Sequence, residues 1–439
     1  MIQFYKFLKQ AIFLSKLCFI ISSEVFIYLF LFDYYYFIER ITNRLASINI
    51  LYVKVFQAIA LNNNLIDEKI NHKLLKFTDN APWNMYDIRL DELIELCNDY
   101  DINLNEGFEN PMNSGMISLV YKGYFRKNGE NVIIKIKRNN IDNRLNDAIE
   151  NLETFMYFIS FIPIIKKYQI SDVIIKNIDI IKHQTNFSEE VQNIEKVKKN
   201  CKGLKYVKIP YVYSEITEKY PNFILMEYIH GLKINEIKEE DYEPFAKQIL
   251  KFGFVTTIVH GFAHGDLHGG NILFIKDNSD SKYRHKIGVI DFGIIFELDS
   301  TYRDFLFDLL TNMFDRSAEE SALKIYNSNI LEPPNIFNKI PLIHRENIMK
   351  FSIEMIEETI KTSKKANQLQ IYKFFHKLKE YLNKSEISDI GIRPSDNLIK
   401  TQLVLAMAHG ITLTLCKEDF MSLADKVINE LFHTEIMIN

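Results

Sequence analysis

In His264-Gly265-Asp266-Leu267-His268-Gly269-Gly270-Asn271 a carboxylate precedes a neutral amide within one short loop, and Asp291-Phe292-Gly293 supplies a second carboxylate further on. Phosphoryl transfer from ATP needs metal ions across the phosphates, a cation on the phosphates that stay behind, and a carboxylate that orients or deprotonates the acceptor. Asp266 suits the last role, while Asn271 and Asp291 offer the hard oxygen atoms that Mg2+ prefers. Lys135, in Val132-Ile133-Ile134-Lys135-Ile136, lies in an apolar strand whose neighbours would bury its stem and leave its ammonium for phosphate oxygens. A buried ammonium needs a carboxylate partner. Glu190 in Phe187-Ser188-Glu189-Glu190 is the candidate, with Glu189 as the fallback. Met226, Glu227 and Tyr228 would present backbone groups to an adenine edge. His264 and His268 also stand at the spacing of a helical metal pair, but Asp266 and Gly269-Gly270 mark a phosphate-transfer loop, leaving His264 as a structural hydrogen-bonder.

These side chains require a scaffold of strands and helices in a set order. Residues 116–125 and 131–137 alternate as strands, and Arg126-Lys127-Asn128-Gly129 between them ends in the Asn-Gly signal of a hairpin turn. A largely helical stretch from 141 to about 199 follows, after which β character resumes at Ile209-Pro210-Tyr211-Val212-Tyr213 and at 223–228. A helix over 241–259 feeds the His264 loop, and strands at 271–274 and 287–290 flank a polar turn at Asn278-Ser279-Asp280-Ser281. From Thr301 onward the pattern is helical, with breaks at Pro333-Pro334 and Pro341. Ahead of the strands, residues 34–80 read as helices broken at Asn62-Asn63-Asn64, and 87–98 as a short amphipathic helix.

A chain of 439 residues is long enough for two lobes with extensions, and 47% apolar with 25% charged residues is the composition of a folded globular protein. The formal charge of −4 gives no overall basic field, so nucleic acid is not expected as a partner. Cys18, Cys97, Cys201 and Cys416 form no CxxC pair, which argues against a zinc site or a disulfide framework and for a reducing, intracellular compartment. Residues 17–32 are almost wholly apolar, but Lys16 borders them and Glu24 lies inside. The segment either crosses a membrane, lies at its interface, or packs on the folded domain. No small-residue cleavage pattern follows, so removal as a signal peptide is not expected.

The chain resembles the UbiB family, also called ADCK, of atypical protein-kinase-like proteins linked to coenzyme Q. Lys54-Val55-Phe56-Gln57 is similar to the family's K-x-G-Q motif, and residues 74–82, ending in Asp79-Asn80-Ala81-Pro82, are similar to its L-x-x-L-Q-D-x-x-P. Residues 111–121 resemble the alanine-rich loop that replaces the kinase glycine-rich loop, which would put Gly115 beside the nucleotide. The long helical insert between Lys135 and Glu190 also matches. Three departures stand out: Phe56 replaces the motif glycine, Asn113-Ser114-Gly115-Met116 replaces a run of alanines, and Gln184-Thr185-Asn186 stands where the family has E-x-D.

The resemblance implies an α+β, bilobal protein-kinase-like fold with an N-terminal helical extension and a helical C-terminal region. Its expected parts are an apolar segment 1–36 with possible membrane contact, a helical extension 37–105, an N-lobe 106–229 with a helical insert, and a C-lobe with C-terminal helices 230–439. It implies ATP and Mg2+ as cofactors, with Lys54 and Gln57 facing the nucleotide. The acceptor would be a small molecule, a lipid or the protein itself, since no Ala-Pro-Glu segment follows Asp291-Phe292-Gly293 to build a peptide-docking platform. Two other functions fit the same loop: a small-molecule phosphotransferase of the aminoglycoside or choline kinase type, and a non-catalytic, nucleotide-gated scaffold on a membrane.

Overall fold

The computed structural model describes residues 2–49, 51–52, 81–159, 182–280, 282–312, 316–328, 331–332, 336–366, 381, 393–416 and 420–434. Its helices in chain order are α1 (Ile2–Leu31), α2 (Tyr34–Ile48), α3 (Leu90–Asp99), α4 (Ile141–Ile159), α5 (Phe187–Asn200), α6 (Ser214–Lys219), α7 (Tyr242–Phe254), α8 (Ser300–Asn312), α9 (Ala318–Asn327), α10 (Leu342–Ala366), α11 (Asp396–Leu415) and α12 (Phe420–Thr434). The strands are β1 (Ile102–Leu104), β2 (Asn113–Ser114), β3 (Ser118–Phe125), β4 (Asn131–Lys137), β5 (Val207–Lys208), β6 (Phe223–Glu227), β7 (Phe262–His264), β8 (Ile272–Lys276), β9 (His285–Val289), β10 (Ile295–Glu297), β11 (Leu331–Glu332) and β12 (Arg393–Pro394). Two units divide the chain: Met1–Lys196 with Pro210–Ile229 and Phe292–Ile294, and Val197–Ile209 with His230–Asp291 and Ile295–Asn439.

The first unit is built on an antiparallel sheet in the order β1-β3-β4-β6, with β2 added to β3. Period-two alternation sorts β4 into two faces. Val132, Ile134 and Ile136 enter a core with Leu119, Leu225 and, from α3, Leu93 and Leu96, while Lys135 points to the other side between Val120 and Ile224. Gly129 closes the β3–β4 hairpin at φ +72°, a left-handed conformation that suits glycine. Two strand expectations need correction. The strand expected from Met116 starts at Ser118, because the Gly115 N–H turns back to donate to Ser118 O at 2.8 Å. The β segment expected at 209–213 reduces to a single bridge between Val212 and Met226, since Pro210 has no N–H to give a ladder.

Ahead of the sheet, α1 and α2 form a helical hairpin. Phe32 turns the chain at φ +52°, and Asp33 caps α2 by accepting from Tyr36 N at 2.9 Å. Glu24, buried in α1, accepts from Arg40 Nε at 2.7 Å and Nη2 at 3.0 Å, and from Arg44 Nη1 at 2.6 Å. The Arg40 hydrogen bond holds the Glu24 carboxyl below the ordinary carboxylate range against the opposing effect of burial.

In the second unit β8 and β9 pair antiparallel and β5 joins β9 in parallel, while β7 pairs with β10. α7 packs behind β9, and α11 and α12 pack on α7. Glu430 of α12 accepts from Lys247 and, at 2.9 Å, from Lys251, both on α7. The helix expected over 241–259 begins as α7 and ends in a π-helical turn at Val255–Val259. Gly261 then reverses the chain into β7 at φ +72°, where a Cβ would meet Leu298 O and Arg303 Cδ at 3.1 Å. That reversal delivers the chain to the His264 loop.

Candidate active site

In the first unit, Lys135 Nζ donates to both Glu190 oxygens, at 2.6 and 2.9 Å, and lies 5.7 Å from the centre of the Phe187 ring. Both partners are buried. Asn186 sets the start of α5 by accepting from Glu189 N through Oδ1 at 3.2 Å, while its carbonyl takes Glu190 N at 3.1 Å. Glu189 turns instead to His183, at 3.3 Å. One turn beyond Glu190, Asn193 Nδ2 donates to Phe292 O at 3.1 Å. α5 therefore fixes both Lys135 and the Phe292 backbone from one face, the spacing that brings side chains together on a helix.

Gly115 and the adenine-edge residues are in the same unit. Gly115 N–H is used on Ser118, and its carbonyl accepts from Arg138 Nη2 at 2.6 Å. Arg138 is buried and also donates to Pro82 O at 2.8 Å and to Asp87 Oδ2 at 3.0 Å. Burial pulls its guanidinium down to about 10 despite Asp87. Arg144 holds the other Asp87 oxygen. Met226 and Glu227 end β6, where Glu227 N donates to Tyr211 O at 2.8 Å and Tyr228 N to Asn131 O at 3.3 Å. The N–H groups of Glu227 and Tyr228 are thus taken up within the sheet rather than offered outward.

In the second unit the His264 loop is braced by side chains acting on main-chain atoms. His264 Nδ1 accepts from Asp266 N at 3.2 Å, so the ring proton sits on Nε2, which donates to Asp291 O at 2.7 Å. Full burial holds the His264 ring below its ordinary pKa. Asp266 O accepts from His268 N at 3.0 Å and from Asn271 Nδ2 at 2.8 Å. His268 Nδ1 accepts from Gly270 N at 3.1 Å, and its Nε2 lies 4.0 Å from Asp266 Oδ1. The β8–β9 ladder, extended by Ile290 N donating to Asn271 O at 3.1 Å, puts Asn271 and Asp291 at one end of the same hairpin. Asn271 spends its amide nitrogen inside the loop and so offers oxygen, as Asp291 does. That donor chemistry fits Mg2+.

A family model described as the ABC1 atypical kinase-like domain matches residues 95–324, just over half of the chain. The chain belongs to the ABC1 atypical kinase-like family. Its α+β architecture is therefore a kinase-like fold, and the resemblance to UbiB proteins has its counterpart in the relatives. A Dictyostelium discoideum protein named probable serine/threonine-protein kinase abkB is 25% identical over 338 residues, covering 71% of this chain and 47% of the relative. A Shewanella baltica protein named probable protein kinase UbiB is 22% identical over 286 residues, covering 60% of this chain and 49% of the relative. The chain spans about half the length of these curated relatives. The crystal structure of a Rio2 kinase–ADP/Mg2+–phosphoaspartate complex from Chaetomium thermophilum is 13% identical, with a TM-score of 0.30, covering 78% of this chain and 76% of that one.

One of the departures from the UbiB-like motifs has a physical account: Asn186 caps α5, and Asn caps a helix as well as Asp does. Lys54 and Gln57 lie outside the described residues. Sequence reasoning missed Asn193 and the Asp87–Arg138 pair. Asn193 has a signal, its place three residues after Glu190. Arg138 has none, because three of its four acceptors are main-chain carbonyls, of Ala81, Pro82 and Gly115.

Proposed function

We propose that this chain is an Mg-ATP-dependent phosphotransferase or ATPase whose acceptor is a small molecule, a lipid or the protein itself. The observation that carries the reading is the buried Lys135–Glu190 pair at 2.6 Å. Desolvating two charges is costly unless they are well paired, and a strand lysine held by a helix glutamate is the arrangement kinases use on the α- and β-phosphates. In this reading Lys135 binds those phosphates, Glu190 positions Lys135, and Gly115 and residues 226–228 border the nucleotide. Asp266 accepts the acceptor's proton, while Asn271 and Asp291 hold Mg2+. When bound, Mg2+ neutralises charge that develops on the phosphate oxygens. His264 keeps the main chain of Asp266 and Asp291 in fixed relation without adding charge.

The test is Mg2+-dependent ADP release by the purified chain, with and without lipid or quinone-like compounds, beside the Asp291→Asn variant. Turnover should be abolished in the variant with its melting temperature little changed. An ATP-induced melting shift without ADP release under any condition would replace this reading with that of a nucleotide-gated scaffold.

A further inference from the structure

Helix α1 has two apolar faces, and the fold covers only one of them. Phe13, Leu17, Ile20 and Glu24 recur at helical spacing and are buried, on a helix that packs against α2 and α4. At 100° per residue, Leu8, Ile12, Phe19, Phe26 and Phe30 fall on the opposite side, and there Phe19, Phe26 and Phe30 are 67%, 61% and 70% exposed. From Leu8 to Phe30 this ridge runs about 33 Å at the helical rise, and an uncovered apolar strip of that size marks a surface that meets something.

Charge on the page decides what it meets. Glu24 is the only carboxylate in α1, and it is buried on the far face with Arg40 and Arg44. Lys16 is exposed beside the ridge, and the Arg44 guanidinium lies 5.8 Å from the centre of the Phe19 ring. An apolar ridge with a basic rim complements an anionic bilayer surface, in which rings enter the acyl boundary and cations meet lipid phosphates.

Leu8–Leu31 is long and apolar enough to cross a membrane by length and composition alone. Its packing argues otherwise. α2 is fastened to α1 at Glu24 by Arg40 and Arg44, so a crossing α1 would draw both guanidinium groups and exposed Asn43 into hydrocarbon. The first half of α1 is tied to α4 by the Lys9–Asp147 ion pair. We infer that α1 docks flat on an anionic lipid surface, with the Phe19–Phe26–Phe30 ridge in the acyl boundary and Lys16 and Arg44 at the phosphates. This mode of docking does not depend on the nucleotide chemistry proposed above.

Flotation of the full chain with vesicles tests it. The chain should float with phosphatidylcholine–phosphatidylglycerol vesicles, in a salt-sensitive way, and far less with phosphatidylcholine alone. Phe26→Glu with Phe30→Glu should weaken binding by at least about tenfold, leaving the melting temperature and vesicle-free ADP release unchanged. In a Cys18→Ser/Cys416→Ser background, Gln3→Cys, ahead of the apolar stretch, should react with a membrane-impermeant maleimide added outside the vesicles. Protection of that thiol until detergent is added would mean that α1 crosses, and would overturn the inference. Equal flotation of the Phe26→Glu/Phe30→Glu variant would overturn it as well. So would absence of flotation with self-association in solution, which would assign the ridge to a second copy of the chain.

Discussion

The candidate residues of the two units are held in opposite ways. In the first unit a side-chain ion pair, Lys135–Glu190, supplies the order, and both charges are buried in making it. In the second, His264, His268 and Asn271 make hydrogen bonds to or from main-chain atoms of the loop and of Asp291. Under the proposed function, the charge meant for phosphate is held by an opposite charge. The carboxylates to which that proposal gives a metal or a proton have their backbone anchored by hydrogen bonds.

The largest test of this contrast is Glu190→Ala, which leaves the Lys135 ammonium buried without its carboxylate and should cost about 3–5 kcal/mol of stability. Replacing both charges, as Lys135→Met with Glu190→Leu, should restore most of the melting temperature while ADP release stays lost. If the single and double variants melt alike, charge pairing does not organise the first unit. The second unit should respond to pH rather than to charge removal. The His264 ring has a pKa below its ordinary value of 6.5, so its contribution is complete above that value and is lost as pH falls through the lower folded pKa. Denaturation midpoints measured between about pH 7 and 5 should fall for the wild type, and less steeply for His264→Asn. Equal slopes would remove His264 from the account. The smallest effect is expected for Asn193→Ala, about 1 kcal/mol for one hydrogen bond to Phe292 O, with ADP release retained. A cost matching that of Glu190→Ala would invert the ranking.

Legibility in the sequence follows the same division. The loop from His264 to Asn271 and the Asp291 turn are readable because each is a short stretch whose residue types are set by chemistry at fixed spacing. Glu190 is readable because an apolar strand around Lys135 demands a partner, and the β3–β4 hairpin because Asn128-Gly129 announces it. What escapes are contacts to carbonyls, as from Asn193 to Phe292 and from Arg138 to Pro82 and Gly115, since an acceptor every residue carries leaves no mark in the pattern. The 209–213 segment misleads for the reverse reason: its tyrosines and valine favour a strand, but one missing N–H at Pro210 outweighs them.

The Arg138 cluster also says where this protein can be cut. The family match begins at residue 95, yet Asp87, Pro82 and Ala81 lie before it and receive the buried guanidinium. A fragment started at residue 95 would leave the buried Arg138 guanidinium without its Asp87 counterion and without the Ala81 and Pro82 carbonyls. The smallest piece worth expressing therefore begins no later than Ala81.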